Sequence, residues 1–395
     1  MKSKLFIPTN KTIVFYLNFF WNFLVINSIM IPLYLSRGLN YSQIALINSI
    51  FVIIKSASDY PMGHLADQIG TKVTLIIAGL LKGLGGTLLV FATHSSHFII
   101  AFSIIGLANG CYSGADLKMF SEEKPIDMTK SIMNKVFYVQ LGMASSSIIG
   151  SIITVNGNFM PPLIINCLLA WIPFILAFKL KLTPESKKSF ADIEFNLIKK
   201  AFEFKTVISS NSKLFRIFIM RIFAFLTFFI QTQFIQGILV FMKVPLSYFG
   251  IIFFLKALIV GYSSRNSHFF LKYLKVNFEI AYFIFPLISL LVIFFYKILG
   301  ISALFFTVFL DIATGLTSGK LVASFSNSVP KESIVAFNSI VTTMGSIIGA
   351  IGINVMGYGL DRFGFDKSFI IYFVVLSFLS HIIYIYWKKG MKVAL

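Results

Sequence analysis

Charge is scarce in this chain: 12% of its 395 residues are Asp, Glu, Lys or Arg, against 57% apolar. A soluble domain carries about 25% charged residues. A water-soluble fold of this length would therefore leave apolar surface that only lipid can solvate. Acids are the rarer sign, 15 against 34 basic residues, for a net charge of +19. That excess does not mark a nucleic-acid binder, because the basic residues fall in short bursts between long apolar runs. Cysteine is nearly absent. Cys111 and Cys167 lie in separate apolar segments, which excludes a disulfide framework or a cysteine metal site and leaves both as packing residues. There is no Gly-x-x-x-x-Gly-Lys-[Ser/Thr] loop; Gly315 to Lys320 has the wrong spacing and Leu321 follows the lysine. Direct use of ATP within this chain is excluded on that ground. His-Glu-x-x-His and Gly-x-Ser-x-Gly are missing as well, so an enzyme is not expected, nor a metal or cofactor.

What the chain does have is length in its apolar runs. A membrane-crossing helix needs about 20 mainly apolar residues. Such runs occur near 13–35, 42–62, 73–92, 97–116, 133–155 and 159–180, and again near 214–240, 246–263, 278–297, 299–322, 335–358 and 368–387. The first follows Lys2, Lys4 and Lys11 but exceeds the apolar core of a signal peptide and ends in no small-x-small site. It reads as a retained span. The longest polar stretch lies between the two sets, with a short amphipathic piece from Phe190 to Phe204. The expected architecture is an all-α membrane protein of twelve transmembrane helices. It comprises a six-helix half over 1–180, a cytoplasmic linker over 181–213 and a second six-helix half over 214–395.

Orientation follows from the basic residues. With the N-terminus inside, only Arg37, Lys243, Lys297, Arg362 and Lys367 fall outside. Lys55, Lys82 and Lys256 lie mid-span, and the rest face inward. Positive loops resist translocation, so both termini are expected in the cytoplasm of a bacterial inner membrane.

After the second span the chain reads Gly63-His64-Leu65-Ala66-Asp67-Gln68-Ile69-Gly70-Thr71-Lys72. This resembles the signature loop of the major facilitator superfamily, in the place that family keeps it. Asp59-Tyr60-Pro61-Met62 resembles the lead-in common in that family's exporters. The segments Tyr112 to Asp116 at the end of span four and Gly357 to Gly364 after span eleven are similarly familiar. The resemblance implies two six-helix halves that rock about a central site, with Gly63, Asp67, Gly70 and Lys72 as a conformational latch. Gly63 and Gly70 are expected to permit a tight turn. The pattern departs from the family at Gln68, where Arg is usual. It departs again at Gly261 to Arg265, which lacks the acid, and in span five, which lacks a Gly-Pro pair.

An ionisable side chain at the bilayer centre costs about 2.5–3.5 kcal/mol on insertion scales, so it calls for a partner or a role. Lys55 and Asp59 stand four apart and are expected to share a face and pair. Asp311 in span ten, or Asp59 on opening of its pair, is the expected proton carrier; desolvation penalises the charged form of Asp311, with Lys256 as neutralising partner or anion attractor. Lys82 is expected to be structural or to snorkel from a peripheral span. In the family, spans one, four, seven and ten line the cavity. The candidates there are Asn18, Trp21 and Asn22, then Asn109 and Tyr112, then Arg221, Gln231 and Gln233, and finally Thr314 and Ser318.

The functional expectation is a monomeric secondary transporter. It would export a small or peptide-like antimicrobial molecule in exchange for protons, with the lipid bilayer as its solvent and no nucleic-acid partner. Proton-linked uptake of an anionic nutrient is the alternative within transport. A non-transporting receptor or scaffold is the alternative outside it.

Overall fold

The computed structural model describes residues 10–121, 128–154, 157–180, 197–267, 278–329 and 334–391; some side chains within these, including those of Asp67 and Ser318, lie outside the described set. Every regular element among them is helical. In hydrocarbon each backbone N–H and C=O must find a partner within the protein, which favours helices throughout.

The first span is two helices, α1 (Asn10–Trp21) and α2 (Met30–Ser36), separated by a non-helical stretch and the 3-10 turn Asn27–Ile29. It is followed by α3 (Tyr41–Ile69), α4 (Thr71–Val90), α5 (Ser95–Ser121) and α6 (Met128–Ile153). Span six is α7 (Met160–Ala170) with α8 (Ile172–Phe178), and α9 (Leu197–Ser210) lies in the expected linker. Span seven is α10 (Ser212–Ala224), the π-helical Phe225–Phe229 and α11 (Ile230–Phe241). Then come α12 (Leu246–Arg265), α13 (Phe278–Phe283), α14 (Phe285–Ser289) and α15 (Leu291–Leu299). A 3-10 segment (Gly300–Phe306) leads into α16 (Thr307–Ser326), and α17 (Ile334–Met391) bends at Gly364.

Among the described residues, eight helical stretches are long and apolar enough to cross a membrane. Two of them, Ala281–Ser326 and Ala336–Lys388, are 46 and 53 residues long, enough for two crossings each at about 20 residues per crossing. Both reverse at a glycine of positive φ, Gly300 and Gly364. Apolar side chains stay exposed on the outside, such as Leu168 at 66% and Phe378 at 66%. That is stable against lipid and costly against water.

The helices overrun the apolar windows at one end of the bundle. α3 continues to Ile69, so Gly63 lies buried inside a helix and is not the turn expected of it. Apolarity marks only the part in lipid, and polar residues continue a helix beyond it. The reversal happens at Gly70 alone, with φ 90° and ψ 147°, and α4 starts at the next residue. The linker helix is amphipathic as expected, and the part of that piece from 190 to 196 lies outside the described residues. Phe204 and Ile208 are buried against Phe218 and Phe337, while Phe202 is exposed.

Close approaches set how the spans sit. A Cβ at Gly150 of α6 would overlap the Val25 carbonyl, so span five presses on the break in span one. A Cβ at Gly250 of α12 would overlap Ser151 of α6, bringing spans five and eight together.

Candidate functional site

Polar groups in the bundle interior gather in four places. The first is the break in span one. Helix α1 ends at Trp21, leaving its last carbonyls without helical partners. The Trp21 indole N–H donates to Asn109 Oδ1 of α5 at 3.0 Å, and its ring stacks on Tyr112 with centroids 4.0 Å apart. Asn22 donates to the Asn18 carbonyl at 2.9 Å. Four residues expected to line a cavity, Asn18, Trp21, Asn109 and Tyr112, are thus brought together with Asn22 beside them. Lys82 joins them. It is not peripheral: it is 4% exposed, donates to the carbonyls of Phe20 (3.2 Å) and Trp21, and stands 4.6 Å from the Trp21 ring centre. Composition marks it as a charge in a span, but gives no sign of the direction it faces.

The second place is the end of the bundle bearing the connections at 37–40, 242–245 and 364. Gln236 of α11, which sequence reasoning missed, accepts from the Ile31 N–H at 2.8 Å and donates to the Asn27 carbonyl at 2.5 Å. It therefore splints the second part of broken span one. Asp361 accepts from Tyr41 N–H at 3.0 Å, from Ser42 N–H at 2.8 Å and from the Ser42 hydroxyl at 2.6 Å, capping α3. Deeper along the same seam Asn354 donates to Ser49 (2.6 Å), Ser56 meets Ser346 (2.6 Å) and Thr343 donates to the Ser56 carbonyl (2.8 Å). Spans two and eleven are joined from this end to their middle. One signal for Asp361 was present in the sequence: Gly357, Asp361 and Gly364 repeat the spacing of Gly63, Asp67 and Gly70.

The third place is the buried ion pair between Lys256 of α12 and Asp311 of α16, 2.8 Å apart with side chains 12% and 7% exposed. Thr314, one turn on from Asp311, returns its hydroxyl to the Leu310 carbonyl at 2.8 Å. The fourth is Arg221 on α10, buried, donating to Asn338 at 2.6 Å and lying 5.0 Å from the Phe325 ring centre. Asn338 in turn donates to Ser326 at 2.9 Å.

Other expectations come out differently. Gln231 bonds to span nine, where it donates to the Pro286 carbonyl (3.2 Å) and accepts from Ser289. Its amide repairs the chain where Pro286 interrupts that span. Gln233 is half-buried. Lys55 and Asp59 form no ion pair with each other among the described residues; Asp59 accepts a hydrogen bond from Ser113 of α5 at 2.5 Å instead. A short hydroxyl donor on the neighbouring helix thus reaches that carboxylate. Of the latch residues, Gly63 is helical, Lys72 is half-buried and the side chain of Asp67 falls outside the described residues, as does that of the cavity candidate Ser318.

A sequence profile of the Major Facilitator Superfamily matches residues 12–353. Among solved structures, a variant of the nucleoside transporter NupG superposes with a TM-score of 0.74 at 16% identity, covering 94% of this chain and 98% of that one. A POT family transporter in complex with a thioalcohol-conjugated peptide gives 0.73 at 14% identity, over 95% and 96%. A D-xylose-proton symporter gives 0.72 at 14% identity, over 94% and 95%. At such identities the likeness is one of fold. Among curated proteins no sequence matches the chain.

Proposed function

The chain belongs to the major facilitator superfamily, and from that premise we propose that it is a proton-coupled exporter of a small or peptide-like molecule. Twelve crossings arranged as two six-helix halves, joined by the charged stretch at 181–213, rock about a central site between them. With both termini in the cytoplasm, the seam of Asp361, Gln236 and Asn354 lies on the outer side. The arrangement described is then the one closed to the outside.

The observation that carries the coupling is the Lys256–Asp311 pair. A carboxylate held in an apolar interior keeps its charge only while a cation stays beside it. An amino group on the cargo can replace Lys256 at Asp311, and a proton can discharge that cargo by neutralising the acid. Proton and cargo compete for one carboxylate, which is the logic of exchange. The exporter-like lead-in at Asp59 to Met62 supports the outward direction, and a peptide-like amphoteric molecule suits a site with both signs of charge.

Proton-linked uptake of an anion has one observation of its own: protonating Asp311 would free Lys256 to take an anionic group. The two readings differ in sign. Exchange requires that cargo affinity fall as Asp311 takes up its proton, whereas uptake requires that it rise. Proteoliposomes with an imposed pH gradient test both. Flux opposite to the proton gradient, lost in Asp311→Asn, supports exchange; flux with it supports uptake. Gradient-driven flux that survives Asp311→Asn overturns the role of this acid.

A further inference from the structure

The break in span one has an unusual occupant. A helix that stops inside a bundle presents the negative end of its dipole and several unused carbonyls. In membrane transporters such broken ends are places where alkali cations coordinate. Here the place is filled from span three. The Lys82 ammonium donates to the Phe20 and Trp21 carbonyls and faces the Trp21 ring at 4.6 Å. No carboxylate among the described residues forms an ion pair with it.

Its approach is built into span three. A Cβ at Gly79, Gly83 or Gly86 would overlap Phe174, Trp171 or Ala170 of span six, so these glycines let α4 sit tight against one neighbour. Lys82 then packs inward beside Leu75 and Ala78, which contact the buried face of Ile13, Leu17 and Trp21.

The charge is not needed merely to satisfy a carbonyl. Span nine reaches a carbonyl of unbroken span seven with a neutral group, the Tyr282 hydroxyl donating to the Met220 carbonyl. A neutral hydroxyl serves that carbonyl inside a continuous helix, whereas the carbonyls at the break in span one are met by an amine.

We propose that Lys82 is a tethered cation: its ammonium takes the coordination place an alkali ion would fill at the break, and by holding Trp21 it positions the Trp21–Asn109–Tyr112 face. The proposal rests on the transporter reading and deepens it, because a built-in cation leaves no vacancy for sodium at this break. Any alkali-ion requirement at this position is thereby removed.

The test uses the full-length chain in nanodiscs with Trp171→Phe and Trp387→Phe, leaving Trp21 as the reporter among its three tryptophans. Thermal unfolding and Trp21 emission are followed while ethylammonium, sodium, potassium or choline chloride is added. The parent protein is expected to respond to none of these beyond the choline control. Lys82→Ala is expected to show a lower Tm and shifted emission, both recovered saturably by ethylammonium or a small alkali ion but not by choline. Recovery by a cation is a readout that a purely packing role would not give. Should Lys82→Ala fail to fold, Lys82→Met keeps the stem without the charge and undergoes the same titration. Either variant keeping the parent's Tm and emission overturns the proposal, and so does a variant that loses them and gains nothing from any cation. A sodium-specific response of the parent overturns it too. None of these readouts involves flux, so their failure leaves the transporter reading standing, and an inactive transporter leaves them interpretable.

Discussion

Asp361 grips Ser42 twice, through its backbone N–H at 2.8 Å and its hydroxyl at 2.6 Å, although 319 positions separate them in sequence. With Tyr41 N–H on the other oxygen, one carboxylate satisfies two of the four orphan donors that begin α3. Asn40 and Gln43 add a reciprocal capping box of their own. The helix start is thus tied both locally and to a distant part of the chain, and the distant tie is the one a rocking motion must release.

Asp361→Ala is expected to weaken that tie by about 1 kcal/mol, the usual worth of an N-terminal cap. Folding should survive because Asn40 remains. What should change is the balance of conformations. Labelling of a cysteine placed at exposed Gln43 by a membrane-impermeant maleimide should speed up several-fold, and an unchanged rate would show that the contact does not hold the seam closed.

For the buried pair, removing one partner strands the other. Asp311→Asn alone or Lys256→Met alone is expected to cost about 3–5 kcal/mol of stability. The double variant should recover much of that loss in thermal unfolding while showing no response to a pH gradient. Equal destabilisation of the double and single variants would mean the two side chains act independently.

Gln236 holds both Asn27 and Ile31, so its loss unsatisfies a buried N–H and a half-buried carbonyl at once. Gln236→Leu is expected to destabilise by roughly 1–3 kcal/mol for each group left without a partner. Hydrogen exchange at Ile31 should rise well above that at Leu33, which stays inside α2.

Gly150 lies against the Val25 carbonyl with no room for a side chain. Gly150→Val should abolish folded protein in membranes, whereas Gly157→Asn, at a positive-φ position with open space, should express normally. Size-exclusion profiles of the two variants give the comparison.

Much of the architecture was legible because lipid imposes a coarse rule, about 20 apolar residues per crossing. The Lys256–Asp311 meeting was legible too, since opposite charges in neighbouring spans have few other partners. Which way a side chain points was not. A helix that is apolar all round has no amphipathic stripe from which to read its orientation, so the span-nine partners of Gln231 and the inward packing of Lys82 were not readable. The break after Trp21 was hidden for a related reason: no glycine or proline stands between Trp21 and Ile29. It is held by groups from spans three, four, five and seven, which no local window contains. The repeated spacing of Gly, Asp and Gly at 63–70 and 357–364 could have drawn attention to Asp361, had each segment been compared with the other.

Span seven carries its irregularity differently, as the π-helical turn Phe225–Phe229. Such a turn accommodates one residue more than a regular helix of the same rise. It therefore sets the phase between everything below it and everything above it. The surplus residue sets the angle between Arg221, which meets Asn338, and Gln236, which meets Asn27. Deleting it would restore a regular helix and rotate one of those contacts by about 100° relative to the other.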